Sequence, residues 1–305
     1  MADAKISFFD AIDDNKRNSA ILIFCLFFVF MAAVCALSYM FNIGLIGPII
    51  GFIALLMYTV IMYYSGDKVV LSVSGAKQVT EQDQPFLYNV VEGLAIASGI
   101  PMPALYIVDD PSPNAFATGR DPKHASVAVT TGLLKTMKKE ELEGVVAHEI
   151  SHIGNYDIRF MMLAVVFVGA ISLMSYIAWS YLMMGGPRVA SRGERRRGGG
   201  GADILVLIVA LALMILAPIS AELLRFALSR QREYLADANA AKLTRYPEGL
   251  ASALEKIKNM AMPVQKASDA TAPLYIASPF PNKMTSSLFS THPPIDDRIK
   301  RLRAM

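Results

Sequence analysis

The feature that most restricts the fold of this chain is a stretch without charge that runs from Asn18 to Gly66. As one helix it would extend about 73 Å, whereas the hydrocarbon core of a bilayer is about 30 Å thick. The sequence therefore predicts a hairpin of two spans, near residues 19–41 and 45–64, that folds back at Asn42-Ile43-Gly44. A cleaved signal peptide is not expected, because the first apolar stretch is too long and a second follows at once.

Two further uncharged runs follow, at residues 160–184 and 204–221. They predict a second hydrophobic hairpin over 160–225, with a solvated Gly- and Arg-rich loop at 185–203. Buried core helices of a soluble domain are the alternative, and the last run is short enough for shallow insertion. An apolar fraction of 54% with only 18% charged residues favours the membrane. The net charge of +3 gives no reason to expect nucleic acid as a partner.

A second feature carries chemistry, since His148-Glu149-Ile150-Ser151-His152 matches the pattern H-E-x-x-H. Residues four apart on a helix lie about 40° apart around its axis, so both imidazoles can bind one Zn²⁺. The glutamate beside the first histidine then points at the remaining coordination space. An amphipathic helix with two hydrogen-bonded histidines is the alternative for the pentad alone. Thr136 is the predicted N-cap of this helix and Gly154 its predicted end.

A catalytic zinc needs a third protein ligand and one position for water. Glu233 and Asp237 are four apart on a predicted helix, so one carboxylate can bind the metal while the other hydrogen-bonds a ligand histidine. A solvated helix face with neighbouring arginines is the alternative. Asp157 could likewise hydrogen-bond a ligand histidine, His152. The alternative is that it only marks the charged end of the soluble part before the apolar run at 160–184.

The two soluble parts, 65–159 and 226–305, must meet at one metal, so each hydrophobic pair is predicted to cross the membrane twice. Basic residues flank the spans on this side and are missing from the first hairpin loop, which places the catalytic side in the cytoplasm. The five arginines of loop 185–203 disagree with this rule. Either the loop was translocated against it, or the second hairpin does not cross fully.

The soluble parts predict an α+β fold that is mostly helical with a small sheet. Helices are expected at residues 83–98, after Pro247 and after Pro294. Strands are expected at Leu105–Val108 and Ala125–Thr130, and the segment between them, Asn114–Gly119, is expected to pair with one of these.

Several motifs occur in a recognisable order: the N-terminal hydrophobic hairpin, Asn114–Gly119, Thr131–Leu134, Ala147–Ile153, Ser229–Tyr234 with Ala236-Asp237, and Thr291–Pro294 followed by Arg298. In these motifs the chain resembles, nearly from end to end, the HtpX family of membrane zinc metalloproteases, relatives of the CaaX-processing proteases. The resemblance implies an integral membrane protein with up to four transmembrane helices and a zincin-like metalloprotease domain that carries a small β-sheet. The arginine-rich second loop departs from the family pattern and bears on topology more than on chemistry.

The resemblance also implies roles for single residues. It implies one Zn²⁺ held by His148, His152 and Glu233, with Glu149 as the catalytic base and Asp237 orienting a ligand. His292 resembles a position that the family places close to the active site, where it would stabilise the oxyanion, with Arg298 nearby. A surface histidine that caps the last helix is the alternative for His292. The fourth histidine, His124, is expected to be solvated and non-catalytic.

Substrate is expected to add as a strand to the segment Asn114, Ala115, Phe116 and Ala117, which matches the place of this segment in the family. An ordinary hairpin edge is the alternative. The short helical distance from His152 to residue 160 predicts an active site within roughly 20 Å of the bilayer surface. That position suits membrane-protein or unfolded polypeptide substrates.

The predicted organisation is a tail at 1–18, a transmembrane hairpin at 19–64, a first protease part at 65–159, a second hairpin at 160–225 and a second protease part at 226–305. The predicted protein is a multi-pass endopeptidase of the cell (inner or plasma) membrane, and the resemblance implies protein quality control with a stress role. A CaaX-type prenyl-peptide protease and a non-enzymatic membrane adaptor with a structural zinc are the alternatives. The presence of Glu149 argues against the non-enzymatic adaptor, because a structural zinc needs no base.

Overall fold

The computed structural model describes residues 44–166, 230–260, 262–268, 271–280 and 293–305, with isolated positions between 13 and 35 and at 176 and 180. Most of the first predicted span, most of the second hydrophobic hairpin and His292 lie outside the described residues. Within the described residues the chain is mostly helical with a small sheet, as predicted from the sequence, and the sheet is mixed and has four strands.

Helix α1, Ile46–Val73, contains the second predicted span. Among the described residues it is the one helix that is long and apolar enough to cross a membrane. Gly44 precedes it with φ +66°, a left-handed conformation that suits the predicted hairpin turn, and Phe27 packs against Phe52 with ring centroids 5.5 Å apart. The helix continues past the predicted end at residue 64, because its last turns bury Val70 and Leu71 in the soluble domain.

The sheet has the strand order β1-β2-β4-β3, with β2 and β4 parallel and the two outer pairs antiparallel. Its strands are β1 Ala76–Val79, β2 Ala104–Val108, β3 Ala115–Gly119 and β4 Ala125–Thr130. The segment after Asn114 therefore pairs with β4, as one of the two predicted options. β1 was not predicted, because it is short and its two central residues are polar and exposed.

The helices that the structure describes beyond α1 are labelled α2 Pro85–Ser98, α3 Thr131–Thr136, α4 Lys139–Gly154, α5 Arg230–Thr244, α6 Pro247–Asn259 and α7 Ile295–Arg303. Short 3-10 turns lie at Pro122–His124 and Ala272–Leu274, and residues 157–166 are helical. α4 is the central element, since α2, α5, α6 and strand β3 all contact it. Its residues 144–153 are all buried, which is unusual for a helix that carries two histidines and a glutamate.

The predicted N-cap of α4 was wrong, while its predicted end at Gly154 is confirmed. Thr136 is instead the last residue of α3, where its hydroxyl donates to the carbonyl of Gly132 at 2.8 Å. Met137 is extended and breaks the helix, and α4 then starts at Lys139. The Glu141 carboxylate accepts the N–H of Lys138 at 2.7 Å, which satisfies one donor at the helix start.

Two glycines let α4 and α6 approach closely. A Cβ atom on Gly144 would lie 2.6 Å from the backbone nitrogen of Leu250, and one on Gly249 would lie 2.5 Å from the carbonyl oxygen of Glu140. Real Cβ atoms do not come this near to backbone atoms, so a larger residue must push the two helices apart. This contact holds the helix that carries the H-E-x-x-H pentad.

We expect Gly144→Ala to lower the free energy of unfolding by about 1–3 kcal/mol, because overpacking outweighs the gain in helix propensity. The matched control is Gly93→Ala in α2, where an added Cβ meets nothing within 4 Å. That variant should be neutral or more stable by up to about 1 kcal/mol. The measurement is the thermal unfolding temperature of both purified variants in the same detergent. Equal changes in this temperature would contradict the close contact between α4 and α6.

Candidate active site

Helices α4 and α5 bring three buried ligand-type side chains together. His148 and His152 project from one face of α4, with their Nε2 atoms 3.1 Å apart. Glu233, in the first turn of α5, places Oε2 3.7 Å from the Nε2 of His148 and Oε1 3.5 Å from the Nε2 of His152. One ligand atom from each residue lies within 4.8 Å of the others. The structure therefore brings together the three residues that were predicted to hold a metal.

The donor set fits a divalent cation. Ligand atoms about 2.0–2.2 Å from a tetrahedral Zn²⁺ are separated from one another by about 3.4 Å. The three separations here, 3.1, 3.5 and 3.7 Å, bracket that value. Two imidazole nitrogens and one carboxylate are also the ligand set of many hydrolytic zinc sites.

Each histidine is backed by a carboxylate. Asp157 Oδ2 lies 2.9 Å from the Nδ1 of His152, and Asp237 Oδ1 lies 3.0 Å from the Nδ1 of His148. A carboxylate at Nδ1 keeps the proton on that nitrogen, so the lone pair of Nε2 faces the centre of the site. Asp157 reaches this place because Tyr156, with φ +61°, turns the chain sharply after the end of α4.

Arg298 of α7 is fully buried behind the ligands. Its Nε and Nη2 donate to the two oxygens of Asp237 at 2.8 and 2.7 Å, and its Nη1 donates to the carbonyl of Ile276 at 2.8 Å. Nη1 also lies 3.4 Å from the Oε2 of Glu233. The guanidinium thus fixes the carboxylate that orients His148 and partly balances the negative charge of the site.

The buried Glu149 lies beside the ligands. Burial raises its pKa to about 7, the Glu233 carboxylate adds to the rise, and His152 and Arg298 oppose it. The backbone N–H of Ala117 on β3 also lowers this pKa, so the carboxyl group faces the sheet edge. Its Oε1 accepts no hydrogen bond from the part of the chain that the structure describes. A carboxyl group with a pKa near 7 can take up a proton and return it at neutral pH.

The charged groups around the two ligand histidines favour a cation between the three ligand atoms. Burial and the charge of Arg298 lower the pKa of His148, which keeps its imidazole neutral, as metal binding requires. Burial alone would raise the pKa of Asp237, but Arg298 and His148 lower it to about 2. Burial would likewise lower the pKa of His152, but Asp157 and the charge of Glu233 raise it to about 9. The surroundings of His152 therefore stabilise a positive charge, which a proton or a metal ion can supply.

The predicted substrate strand is already paired along part of its outer edge. The backbone N–H of Ile276 donates to the carbonyl of Ala115 at 2.9 Å, and the amide of Asn114 donates to the carbonyl of Ala277 at 3.0 Å. Phe116 forms an isolated antiparallel bridge with Tyr275. The sequence analysis did not find this segment, because its hydrogen bonds to β3 use its backbone; the ring of Tyr275 also packs against Phe116, with centroids 5.1 Å apart. A peptide that binds beside it must reach the strand from Ala117 onward.

Of the two other histidines considered in the sequence, the structure describes one. His124 lies in an exposed turn, where its Nδ1 is 2.8 Å from Asp121 and its side chain is 47% exposed. It is therefore solvated and separate from the buried ligands. His292 lies outside the described residues, so its role in stabilising an oxyanion stays a prediction.

Comparison with known proteins agrees with this geometry. The profile of "Peptidase family M48" matches residues 81–305. A "Protease HtpX homolog" from Dictyoglomus turgidum is 49% identical, covering 98% of this chain and 95% of its own length. A second, from Lactobacillus helveticus, is 46% identical, covering 97% of this chain and 99% of its own length.

Among solved structures, S. mikatae Ste24p is similar with a TM-score of 0.51 and 17% sequence identity. The match covers 96% of this chain and 67% of that one, and at this identity it supports the fold alone. The profile match and the two close relatives decide the family: this chain belongs to Peptidase family M48, among the HtpX metalloproteases.

Proposed function

We propose that this chain is a membrane-embedded, zinc-dependent endopeptidase that cleaves membrane or misfolded proteins. The observation that supports this most directly is the buried group His148, His152 and Glu233 with Glu149 beside it. Three ligands with an adjacent base suit hydrolysis, whereas a structural zinc is closed by four protein ligands and needs no base. Protein quality control with a stress role is the cellular task we propose.

Zn²⁺ held by these residues would lower the pKa of a bound water toward neutrality and polarise the scissile carbonyl. Glu149 takes a proton from the attacking water at its carboxylate and passes it to the leaving amine. Its buried position and raised pKa suit both halves of this transfer. Asp157 and Asp237 keep the two imidazoles in the tautomer that presents Nε2 to the ion. We propose His292 as the donor that stabilises the oxyanion.

The substrate backbone is proposed to bind along β3 from Ala117 onward, beyond the part of the edge that residues 275–277 occupy. Main-chain hydrogen bonds at a strand edge give affinity without strong sequence preference, which suits unfolded polypeptides. Arg159 follows His152 by seven residues, so the next apolar run starts a short length of chain after the metal ligands. Because an apolar run begins at residue 160, we propose that the site lies near the bilayer surface.

We propose a multi-pass protein of the cell membrane with its protease domain in the cytoplasm and up to four spans. α1 is the one candidate span among the described residues, and the second hairpin is proposed from composition. A CaaX-type prenyl-peptide protease is less favoured, because the relatives that match over nearly their whole length are named HtpX homologs. The adaptor is less favoured because Glu149 is buried beside the ligands.

The decisive experiment measures metal content and cleavage together. We expect the full-length chain, purified in detergent, to bind one zinc and to cleave an unfolded membrane protein. Removal of the metal with a chelator should reduce cleavage at least about 100-fold, because water is then no longer activated, and added Zn²⁺ should restore it. Cleavage that persists without metal, or a preparation that binds zinc and cleaves nothing, would contradict the proposal.

A further inference from the structure

α1 indicates where the membrane surface lies. Most of its large apolar side chains between Leu45, at 85%, and Tyr64, at 57%, are exposed, with Leu55 as a buried exception. These two residues are 19 positions apart, about 28 Å along a helix, close to the thickness of the hydrocarbon core. Beyond Gly66 the same helix buries Val70 and Leu71 in the protease domain. The bilayer surface on the catalytic side is therefore expected at the level of Tyr64.

Two arginines lie at this level. The Arg120 guanidinium stacks 5.1 Å from the ring centroid of Tyr64, and its Nη1 donates to the carbonyl of Tyr64 at 3.4 Å. Arg159 donates through Nε to the carbonyl of Arg120 at 2.5 Å and stacks 5.0 Å from the ring of Tyr156. Tyrosine and arginine side chains are typical of the membrane–water boundary. We name Arg120 and Arg159 the arginine pair.

Arg159 is held at the membrane level by the segment that follows it. Residues 160–166 are buried and apolar, and Tyr58 of α1 donates to the carbonyl of Val166 at 3.4 Å. Met162 lies against Gly66, 3.2 Å from where a Cβ atom would be. The helical segment therefore runs alongside the membrane part of α1, with Arg159 at its start.

The charge of the pair is incompletely balanced by the protein. The Oδ2 of Asp121 is 3.7 Å from the Nε of Arg120, which is longer than a hydrogen bond, and its Oδ1 is shared with the backbone of Lys123 and His124 and the ring of His124. No carboxylate pairs with Arg159 within the described ranges. The α1 turn after Gly66 is partly exposed and carries one acid, Asp67, for which the described residues give no ion pair. Excess positive charge at a bilayer surface attracts anionic headgroups.

We propose that the arginine pair binds the phosphate of an anionic phospholipid on the catalytic side of the membrane. Guanidinium groups suit phosphate because their parallel N–H donors match two oxygens at once. Arg120 directly follows strand β3, and Arg159 lies seven residues after His152. A lipid held by both would thus fix the substrate strand and the metal-binding helix at a set depth. This inference rests on the proposed function only for the membrane location.

The test compares phospholipids retained by the full-length protein in nanodiscs of equal phosphatidylglycerol and phosphatidylcholine, measured by mass spectrometry. In the unmodified protein we expect phosphatidylglycerol to be enriched over phosphatidylcholine. In the variant Arg120→Gln/Arg159→Gln this ratio should fall by about fivefold for each arginine removed. The control Lys242→Gln/Lys300→Gln removes the same charge from two exposed positions on α5 and α7 and should keep the enrichment. Equal enrichment in the arginine variant and the control would overturn the proposal.

Two further arms distinguish a lipid site from a protease effect and from a site for free phosphate. The Glu149→Gln variant should retain lipid like the unmodified protein, so that retention is read independently of protease activity. Inorganic phosphate added to phosphatidylcholine nanodiscs should leave cleavage of a membrane-anchored substrate unchanged, whereas phosphatidylglycerol should raise it. If free phosphate has the same effect as the lipid, the site is not a lipid site and the proposal is overturned.

Discussion

Glu149→Gln should reduce peptide cleavage by at least about 10²–10⁴-fold, the usual contribution of general acid–base catalysis, while zinc stays bound. Glutamine keeps the size and the polar character of the buried side chain, so the packing of α4 should persist. It cannot take up a proton from water at neutral pH. The three ligand atoms of His148, His152 and Glu233 are not touched by the change.

The measurement pairs zinc content with the cleavage rate of one unfolded substrate. The matched control is Glu140→Gln, an exposed glutamate on the same helix, which should keep both zinc and activity. Loss of zinc in the Glu149 variant would mean that this residue supports the metal site. Unchanged cleavage would remove Glu149 from the mechanism, and with it the reason to assign hydrolysis to this cluster.

Structural features that depend on residues close together in the chain could be predicted from the sequence. The pentad places two histidines four residues apart, and helix geometry alone puts them on one face of α4. Proline and glycine marked the start of α6 and the end of α4. The strands β2 and β4 were visible as short apolar runs rich in β-branched residues. These features depend on neighbours within about five residues, and for that reason they were predictable.

The remaining parts depend on contacts between distant residues. Strand β1 is short and half polar, so only its pairing with β2 defines it. Residues 275–277 form backbone hydrogen bonds with β3 and Arg298, and no side-chain pattern in the sequence predicts such bonds. The first turn of α4 was misplaced because the extended Met137 separates it from α3.

The choice between the two carboxylates of α5 shows the same limit. From spacing alone, Glu233 and Asp237 were equivalent candidates for the metal, and only the family resemblance favoured Glu233. In the structure both oxygens of Asp237 accept hydrogen bonds from Arg298, and one faces the Nδ1 of His148. Glu233 instead faces both Nε2 atoms. The partner that distinguishes them is 61 residues away from Asp237.

Arg298→Gln should lower the free energy of unfolding by about 3–5 kcal/mol, because it leaves the buried Asp237 carboxylate without its charged partner. The control is Arg303→Gln on the same helix. Arg303 also binds two carboxylates, Glu248 and Glu255, but all three groups are exposed to water. That variant should unfold at an unchanged temperature. Thermal unfolding of both variants in metal-free buffer isolates the effect on the fold.

A double variant separates stability from metal binding. Arg298→Met/Asp237→Leu replaces the buried ion pair by apolar side chains, and such replacements are often neutral or stabilising. We expect it to recover most of the stability lost by Arg298→Gln. It should still bind zinc about 10–100-fold more weakly, since no carboxylate then orients His148. If the double variant bound zinc with full affinity, Asp237 would have no part in orienting the ligand. If it stayed as unstable as the single variant, the cost would come from lost packing rather than from an unpaired charge.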